Sequence, residues 1–392
     1  MEQLAVVKKR IDSIDMLRGL VMIIMALDHV RDFFYIDAMT GNPTDPSTTT
    51  PLLFFTRWIT HFCAPVFVFL AGTSAFLAGR KKSKKELGIF LVKRGLWLMV
   101  ADLLVFNLLL TFDPQFHLIS VSVLCVTGLS MILLAGLIYL PMPVIFTIGL
   151  VMVAGHNLLD GFNAKNPQNV SVVWGLLHQQ FIRVYAPGRL FGGFYPLIPW
   201  PGIMMLGYCM GTFFTSDYPE VKRRRNLILI GLIVTLSFFV IRWLNAYGDL
   251  LPWKEEKDSV STTFSFFNVT KYPPSLLFCC MTLGPALIGL AFLEKVKAGW
   301  SSVVVIYGRV PFFYYFLHFF LVHLLCTILF FATGHTMAEA AGSTMYFRPV
   351  QFGFSLRIVY LIWIGIVVIL YPFCKKYSQY KATHTHWWLS YL

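Results

Sequence analysis

Windows of about 20 residues with almost no charged side chains recur along this chain, and they limit what it can fold into. Such a window is long enough for an α-helix to cross the roughly 30 Å hydrocarbon core of a membrane. Of the 392 residues, 57% are hydrophobic and 13% are charged, against roughly 25% charged in a soluble domain. Backbone amides in lipid must be satisfied within the segment, and porin-like alternation is missing. The sequence therefore predicts an all-α, polytopic transmembrane helical bundle.

We predict a single domain over residues 1–392 with about ten transmembrane helices. The expected spans are 16–35, 54–78, 89–112, 118–140, 143–160, 194–215, 226–246, 273–293, 303–333 and 352–373. The ninth is too long for one straight crossing, so a break is expected around Gly308 and Pro311.

The positions of the basic residues predict the orientation of the bundle. With ten spans, every basic cluster falls on the same side of the membrane, and short cytoplasmic loops are the ones enriched in Lys and Arg. These clusters are 8–10, 80–85, 222–225, 295–297 and 375–376. We therefore predict cytoplasmic N- and C-termini and a multi-pass protein of the cytoplasmic (inner) membrane. The net charge of +13 indicates topology and contact with anionic lipids, and a nucleic-acid role has no other support.

Four longer segments are expected on the outer side, at 36–53, 161–193, 247–272 and 334–350. Their Pro, Gly and aromatic content is typical of ordered lids, so functional work that faces outward is the natural inference. The seven cysteines form no CxxC pair and have no metal-ligand spacing. We therefore predict no metal site.

Ionisable residues within the first span need an explanation, because each costs free energy in hydrocarbon. Eleven residues separate Arg18 from His29, which places His29 about 16 Å further along the helix, near the middle of the membrane. Asp28 diverges from His29 by about 100°, so the two cannot form a simple dyad, whereas Arg31 and Asp32 can reach Asp28. The alternative interpretation is a solvated helix end held by ion pairs.

Two further spans carry histidines at a similar depth. In the second span Arg57 and His61 share one face, and His61 is as compatible with a structural hydrogen bond as with a substrate contact. In the ninth span His318 follows Arg309 by nine residues and shares a face with Tyr314. Histidines from different helices at one depth indicate an active site, although mutual hydrogen bonding as packing remains equally open.

Two other features are less specific. Asp102 in the third span has no local partner, so an ion pair with Arg57, Arg18 or Arg242 is expected. The segment 185–202 contains Arg189, Trp200 and several Pro, Gly and aromatic residues. Such a segment suits contact with a sugar or an acyl chain, and an interfacial aromatic belt has the same composition.

Four motifs resemble those of the heparan-α-glucosaminide N-acetyltransferase-like membrane proteins, above all a bacterial branch known as a domain of unknown function. The motifs are SIDMLRG (13–19), FCAPVFVFLAGTSAFL (62–77), YPLIPWPGIMMLGYCMG (195–211) and YGRVPFFYYFLH (307–318). The wider transmembrane acyltransferase superfamily is similar in having a first-span histidine eleven residues after an Arg-Gly start, here Arg18 and His29. The resemblance implies transfer of an acetyl group from cytosolic acetyl-CoA to a sugar across the membrane. The lysosomal enzyme uses a histidine between its first two spans, and this chain has none between His29 and His61, so amino-sugar specificity is not implied.

On this basis we predict an acyl-CoA-dependent membrane acyltransferase with His29 as general base or transient acyl carrier and His318 as its catalytic partner. His318, Tyr314 or His61 would stabilise the oxyanion, and Arg18 and Arg309 would meet the CoA phosphates. Acceptor binding is assigned to Asp28, Arg31, Arg57, His61, Arg189, Trp200 and Tyr314. The expected partners are membrane lipids and a saccharide acceptor, and the oligomeric state stays open, a homodimer being one option. The alternatives are a proton-coupled transporter, a lipid- or saccharide-handling protein, and an inactive scaffold.

Overall fold

The structure is a computed structural model that describes residues 11–166, 169–340 and 345–391. The basic cluster at 8–10 lies outside the described residues. The described residues are 69% helical, so the predicted all-α membrane fold is confirmed. The helices are α1 (Asp12–Phe34), α2 (Pro51–Thr60), α3 (Cys63–Gly79), α4 (Lys84–Val100), α5 (Asn107–Thr111), α6 (Val123–Leu137), α7 (Met142–Gly155), α8 (Val172–Leu177), α9 (Pro199–Met210), α10 (Glu220–Leu244), α11 (Ser259–Phe267), α12 (Leu276–Leu293), α13 (Gly299–Arg309), α14 (Pro311–Ala332), α15 (Met337–Ala340) and α16 (Leu356–Thr383).

Within the described residues, six helical stretches are long and apolar enough to cross a membrane by length and composition. They are Pro51–Gly79, Met142–Phe162, Glu220–Leu244, Leu276–Leu293, Pro311–Ala332 and Leu356–Thr383. The count of ten spans and the orientation of the bundle stay predictions. The chain is a multi-pass helical membrane protein.

The ninth and third predicted spans are among those that depart from one continuous α-helix. The expected break in the ninth span is present, because α13 ends at Arg309 and α14 begins at Pro311. Pro311 occupies the first turn of α14, where its missing N–H leaves no intrahelical hydrogen bond unmade. The third span contains a π-helical segment, Ala101–Phe106, between α4 and α5. Such segments occur mostly as single turns inside α-helices, frequently at functional sites.

A small sheet was not predicted from the sequence. It has three strands, β1 (Leu118–Val121), β2 (Phe181–Ala186) and β3 (Arg189–Gly193), in the order β1-β3-β2. The first pair is parallel and the second is antiparallel. The expected start of the fourth span at 118 is therefore wrong, because residues 118–121 form a strand and the helix begins at Val123. Strand pairing satisfies the backbone of this irregular stretch, which cannot be left unpaired inside protein.

The segments that connect the helices lie at two ends of the bundle. At the end predicted to be inner, Arg223 Nε lies 2.6 Å from Glu294 Oε1 and joins α10 to the end of α12. At the end predicted to be outer, Ile36 N donates to Phe354 O and Leu277 N donates to Gly248 O. We call these the inner end and the outer end. The outer end carries the sheet and most of the connecting segments.

The expected ion pair of Asp102 with an arginine is wrong. Asp102 is fully buried and accepts hydrogen bonds from the backbone N–H of Ser122, at 2.7 Å, and from its hydroxyl. Arg242 instead donates to four backbone carbonyls between residues 251 and 268. Two neutral donors from the turn that follows β1 therefore replace the expected cation.

Close approach of backbones fixes α1 against α13. A Cβ atom on Gly308 would lie 1.7 Å from Asp15 O, and one on Gly19 would lie 2.0 Å from Val304 O. Small residues allow such contacts between membrane helices. The two glycines belong to the motifs at 13–19 and 307–318, and their packing brings the helix that carries His29 next to the one that leads into α14.

Candidate active site

The polar centre of the site is a carboxylate on α1 that is surrounded by cations. Asp28 forms ion pairs with Arg31, at 2.9 Å, and with Arg57 on α2. The Lys271 ammonium, from the segment before α12, lies 3.9 Å from Asp28 Oδ2. All of these side chains are largely buried. A buried carboxylate is tolerated when opposite charges and hydrogen bonds compensate its lost hydration.

Beside this cluster, α1 and α14 contribute one histidine each. His29 Nδ1 lies 2.7 Å from His318 Nε2. The two histidines that the sequence predicted at one depth in the membrane are therefore in direct contact. His318 Nδ1 lies 3.0 Å from the carbonyl oxygen of Tyr314, one turn earlier on α14. Because a carbonyl only accepts, His318 must carry its proton on Nδ1, and its Nε2 must accept from His29 Nδ1–H. Nε2 of neutral His29 is then the nitrogen left without a proton.

A cavity of about 350 Å³ opens next to His29, within the size range typical of small-molecule sites. On α1 it is lined by Met22, Met25, Asp28 and His29, and at the outer end by Gln180, Phe194, Tyr195, Lys271 and Tyr272. His318 lies behind His29 and is fully buried. His29 makes no hydrogen bond from Nε2 within the described residues, so this nitrogen is available to a ligand in the cavity.

The other residues predicted to bind the acceptor fall into two groups. Arg31 and Arg57 lie outside the cavity lining and contact it through other side chains. Arg31 pairs with Asp28 and Asp32, and Arg57 pairs with Asp28 and donates to Thr60. The remaining four lie elsewhere. His61 is buried beside Phe278, Tyr314 is buried with its ring stacked on His318, Trp200 is buried against Tyr195, and Arg189 in β3 donates to Gln115 O.

The two arginines predicted to meet CoA phosphates lie at the inner end, near the start of α1. Arg18 lies 2.9 Å from Asp15 and donates to Gly308 O and to Ser74. Arg309 lies 3.2 Å from Asp12, with 35% of its side chain exposed. Arg309 is the more accessible of the two, and the role of both stays a prediction.

Sequence reasoning missed the polar residues that the outer segments bring to the cavity. Lys271 and Tyr272 precede α12, and the Tyr272 hydroxyl lies 3.3 Å from that of Tyr195. Gln180 precedes β2 and donates to Phe194 O. No local motif marks these positions, because they reach the cavity only through the tertiary arrangement of the outer end.

These features define a polytopic helical membrane protein with a histidine-lined internal cavity. A sequence model of the heparan-alpha-glucosaminide N-acetyltransferase catalytic domain matches residues 10–243. This is more than half of the chain, which therefore belongs to that family and is a membrane enzyme of the acetyltransferase type. The matched region contains His29 and Arg57, whereas His318 lies beyond it. A comparison with individually curated proteins gave no match.

Proposed function

We propose that this protein transfers an acetyl group from acetyl-CoA to a sugar hydroxyl or amine, with His29 as the general base. The observation that carries the proposal is the hydrogen-bond chain from His29 through His318 to the Tyr314 carbonyl. This chain fixes the tautomer of His29 and leaves Nε2 unprotonated beside the cavity. A general base needs a lone pair within hydrogen-bond reach of the proton that it removes.

The proposed reaction uses the cavity-lining residues as follows. His29 Nε2 accepts the proton of the acceptor hydroxyl or amine while the acceptor atom attacks the thioester carbonyl. The Lys271 ammonium, held near Asp28, stabilises the negative charge that develops on the carbonyl oxygen. When the C–S bond breaks, the CoA thiolate takes the proton back from His29. His318 accepts the hydrogen bond of His29 Nδ1–H throughout, and therefore stabilises the imidazolium and holds its orientation.

The shape of the cavity suits the reacting groups of both substrates. Its volume of about 350 Å³ lies near the lower end of the range for small-molecule pockets, so it suits an acetyl thioester together with the nearest part of an acceptor. Phe319, whose ring centroid lies 4.1 Å from that of His29, and Phe194 supply apolar contacts. The acceptor is proposed to approach from the outer end, past Gln180 and Tyr272.

The test uses purified protein in nanodiscs, with acetyl-CoA and wild type compared with His29→Ala. We expect saturable binding of acetyl-CoA by both proteins, and release of free CoA thiol that the substitution abolishes. His117→Ala is a matched control, because His117 is a histidine at the outer end that pairs with Asp113 and does not line the cavity. Absence of acetyl-CoA binding by the folded wild type contradicts the proposal, and a proton-dependent solute flux by the same protein reconstituted into sealed proteoliposomes would favour a transporter.

A further inference from the structure

A second pair of histidines lies at the outer end, apart from the residues that line the cavity. His156 begins a 3-10 segment, His156–Phe162, after α7, and His178 directly follows α8. His156 Nδ1 lies 3.2 Å from His178 Nε2, and Asp160 Oδ1 lies 3.7 Å from the same Nε2. One ligand atom from each of these three residues lies within 4.8 Å of the others. The pair is therefore part of a compact cluster with a carboxylate.

Both ring nitrogens of His178 face hydrogen-bond acceptors. Trp174 Nε1 donates to Asn163 Oδ1 at 3.0 Å, and an indole N–H can only donate, so this atom of Asn163 is the oxygen. His178 Nδ1 lies 3.3 Å from the same oxygen, and Nε2 lies 3.0 Å from His156 O, so a neutral ring with one proton can satisfy only one of the two nitrogens. With the proton on Nδ1, Nε2 of neutral His178 has a lone pair. That lone pair faces His156 O, at 3.0 Å, and the Asp160 carboxylate, neither of which can donate.

When His178 carries its proton on Nδ1, His156 cannot satisfy both of its nitrogens in either neutral tautomer. Its side chain is 2% exposed, and Nε2 makes no hydrogen bond of normal geometry within the part of the chain that the structure describes. With the proton on Nδ1, His156 bonds His178 and leaves on Nε2 a buried lone pair that faces the Pro274 carbonyl, an acceptor. With the proton on Nε2, that N–H faces the Pro274 carbonyl, and the lone pairs of His156 Nδ1 and His178 Nε2 face each other across 3.2 Å. A buried polar atom without a partner costs free energy, whereas a cation between the rings would accept both lone pairs.

We propose that His156, His178 and Asp160 bind a divalent transition-metal ion, with zinc as the best match. Zinc lies about 2.0–2.1 Å from imidazole nitrogens, and two ligands in a tetrahedral site are then roughly 3.3 Å apart. His178 Nε2 lies 3.2 Å from His156 Nδ1 and 3.7 Å from Asp160 Oδ1, and both distances fit this arrangement with small adjustments. Two histidines and a carboxylate form a recurrent zinc ligand set. Asn163 accepts from the second nitrogen of His178, as partners of metal-bound histidines commonly do.

The fourth ligand of the ion would be a water molecule. Both rings are almost completely buried, whereas 14% of the Asp160 side chain is exposed. The ion would therefore reach the site past Asp160. Asn157, which donates to Asp160 Oδ2 at 2.8 Å, holds that carboxylate in place.

The ion would fasten together the segments that cover the cavity. His178 is two residues before Gln180, which lines the cavity. The backbone N–H groups of Leu197 and Ile198 donate to Leu176 O and Leu177 O, each at 2.9 Å. These hydrogen bonds join the residues that precede α9 to α8. Asn157 Oδ1 accepts from Leu276 N and ties the same cluster to the start of α12. The ion would thus hold these segments together, and its proposal does not depend on the proposed acetyl transfer.

The test measures zinc binding directly, with untagged full-length protein in nanodiscs. After dialysis against a chelator, the protein is titrated with Zn²⁺ in competition with a chromophoric chelator. We expect one ion per chain in the wild type. His178→Ala should weaken binding by more than about 100-fold, and Asn163→Ala by roughly 10- to 100-fold, as loss of a histidine's outer partner typically does. His117→Ala is the control, because His117 pairs with Asp113 at 2.8 Å without a second histidine, and it should keep wild-type affinity.

A second measurement keeps the test decisive if His178→Ala fails to fold. Co²⁺ added to the wild type should give the visible absorption of a tetrahedral site, and Asp160→Asn, which keeps the hydrogen bond with Asn157, should weaken it. Folded wild-type protein that binds neither ion overturns the proposal. Equal zinc affinity in wild type, His178→Ala and Asp160→Asn also overturns it, because the ion would then be held elsewhere.

Discussion

The two histidine pairs of this protein consist of the same residue types but differ in what surrounds them. In the pair formed by His29 and His318, every proton can be assigned, and a single lone pair is left beside a cavity. In the pair formed by His156 and His178, no assignment of neutral rings satisfies all nitrogens. The first arrangement suits proton transfer and the second suits a cation. In each ring, one nitrogen faces the other histidine. The hydrogen-bond partner of the remaining nitrogen decides between these roles.

The carboxylates next to the two pairs differ in the same way. Asp28 is neutralised by Arg31, Arg57 and Lys271, so it has little capacity left to coordinate an ion. Asp160 accepts from Asn157 through Oδ2, and its Oδ1 faces His178 across 3.7 Å. A carboxylate surrounded by cations organises the cavity wall, whereas one that faces lone pairs is a ligand.

The largest expected effect tests the role of the first pair. His29→Ala should lower acetyl transfer by about 10²- to 10⁴-fold, the usual contribution of a general base. Release of CoA thiol measures this change. The zinc content of the same variant should equal that of the wild type, because the second pair is untouched. A transfer rate within about tenfold of the wild type would remove His29 from the proposed reaction.

The second prediction compares the two carboxylates. Asp28→Asn leaves Arg57 and Lys271 buried without their counter-charge, and breaking a buried pair in this way costs about 3–5 kcal/mol. Asp160→Asn in metal-free protein loses at most one modest hydrogen bond, worth about 1 kcal/mol. The free energies of unfolding of both variants, measured in the same detergent with chelator present, check the contrast. Equal losses would show that the two carboxylates have equivalent surroundings.

Much of the first pair could be predicted from the sequence, because regular helices convert residue number into depth. Counting 1.5 Å per residue from Arg18 and from Arg309 placed His29 and His318 at one level, and they are in contact. The pairing of Arg31 with Asp28 follows from their i, i+3 spacing on one helix. These predictions depend only on local helix geometry.

The features that the sequence did not predict all depend on tertiary contacts. Asp102 accepts its hydrogen bonds from Ser122, which directly follows β1. Hydropathy alone could not distinguish that strand from the start of a span. Lys271 approaches Asp28 from a connecting segment across more than 200 positions of the chain. His156 and His178 have no recognised ligand spacing, so the sequence predicted no metal. Their contact arises because the 3-10 segment that follows α7 meets the residue that follows α8.

The third prediction concerns His318 as a positioning residue for His29. His318→Ala removes the acceptor of the His29 Nδ1–H bond, and an unsatisfied buried donor costs about 1–3 kcal/mol. At 1.36 kcal/mol per factor of ten, kcat should fall by roughly 10- to 100-fold while KM for acetyl-CoA stays the same. His318→Gln should recover part of the lost rate, because its amide oxygen can accept the same hydrogen bond. A structural role alone predicts no such recovery, and a change confined to KM would assign His318 to binding.

The smallest expected effect on transfer comes from removing the metal that we propose at the second pair. A chelator should lower the midpoint of thermal unfolding, because an ion that binds only the folded state contributes about 2.7 kcal/mol at 100 times its dissociation constant. The initial rate of acetyl transfer below the unfolding transition should fall by less than about tenfold, because the ion fixes the segment before Gln180 without touching the reacting atoms. Asn163→Ala should make the midpoint less sensitive to the chelator. If chelation stops transfer as completely as His29→Ala does, the second pair acts on the reaction itself and the division between the two pairs fails.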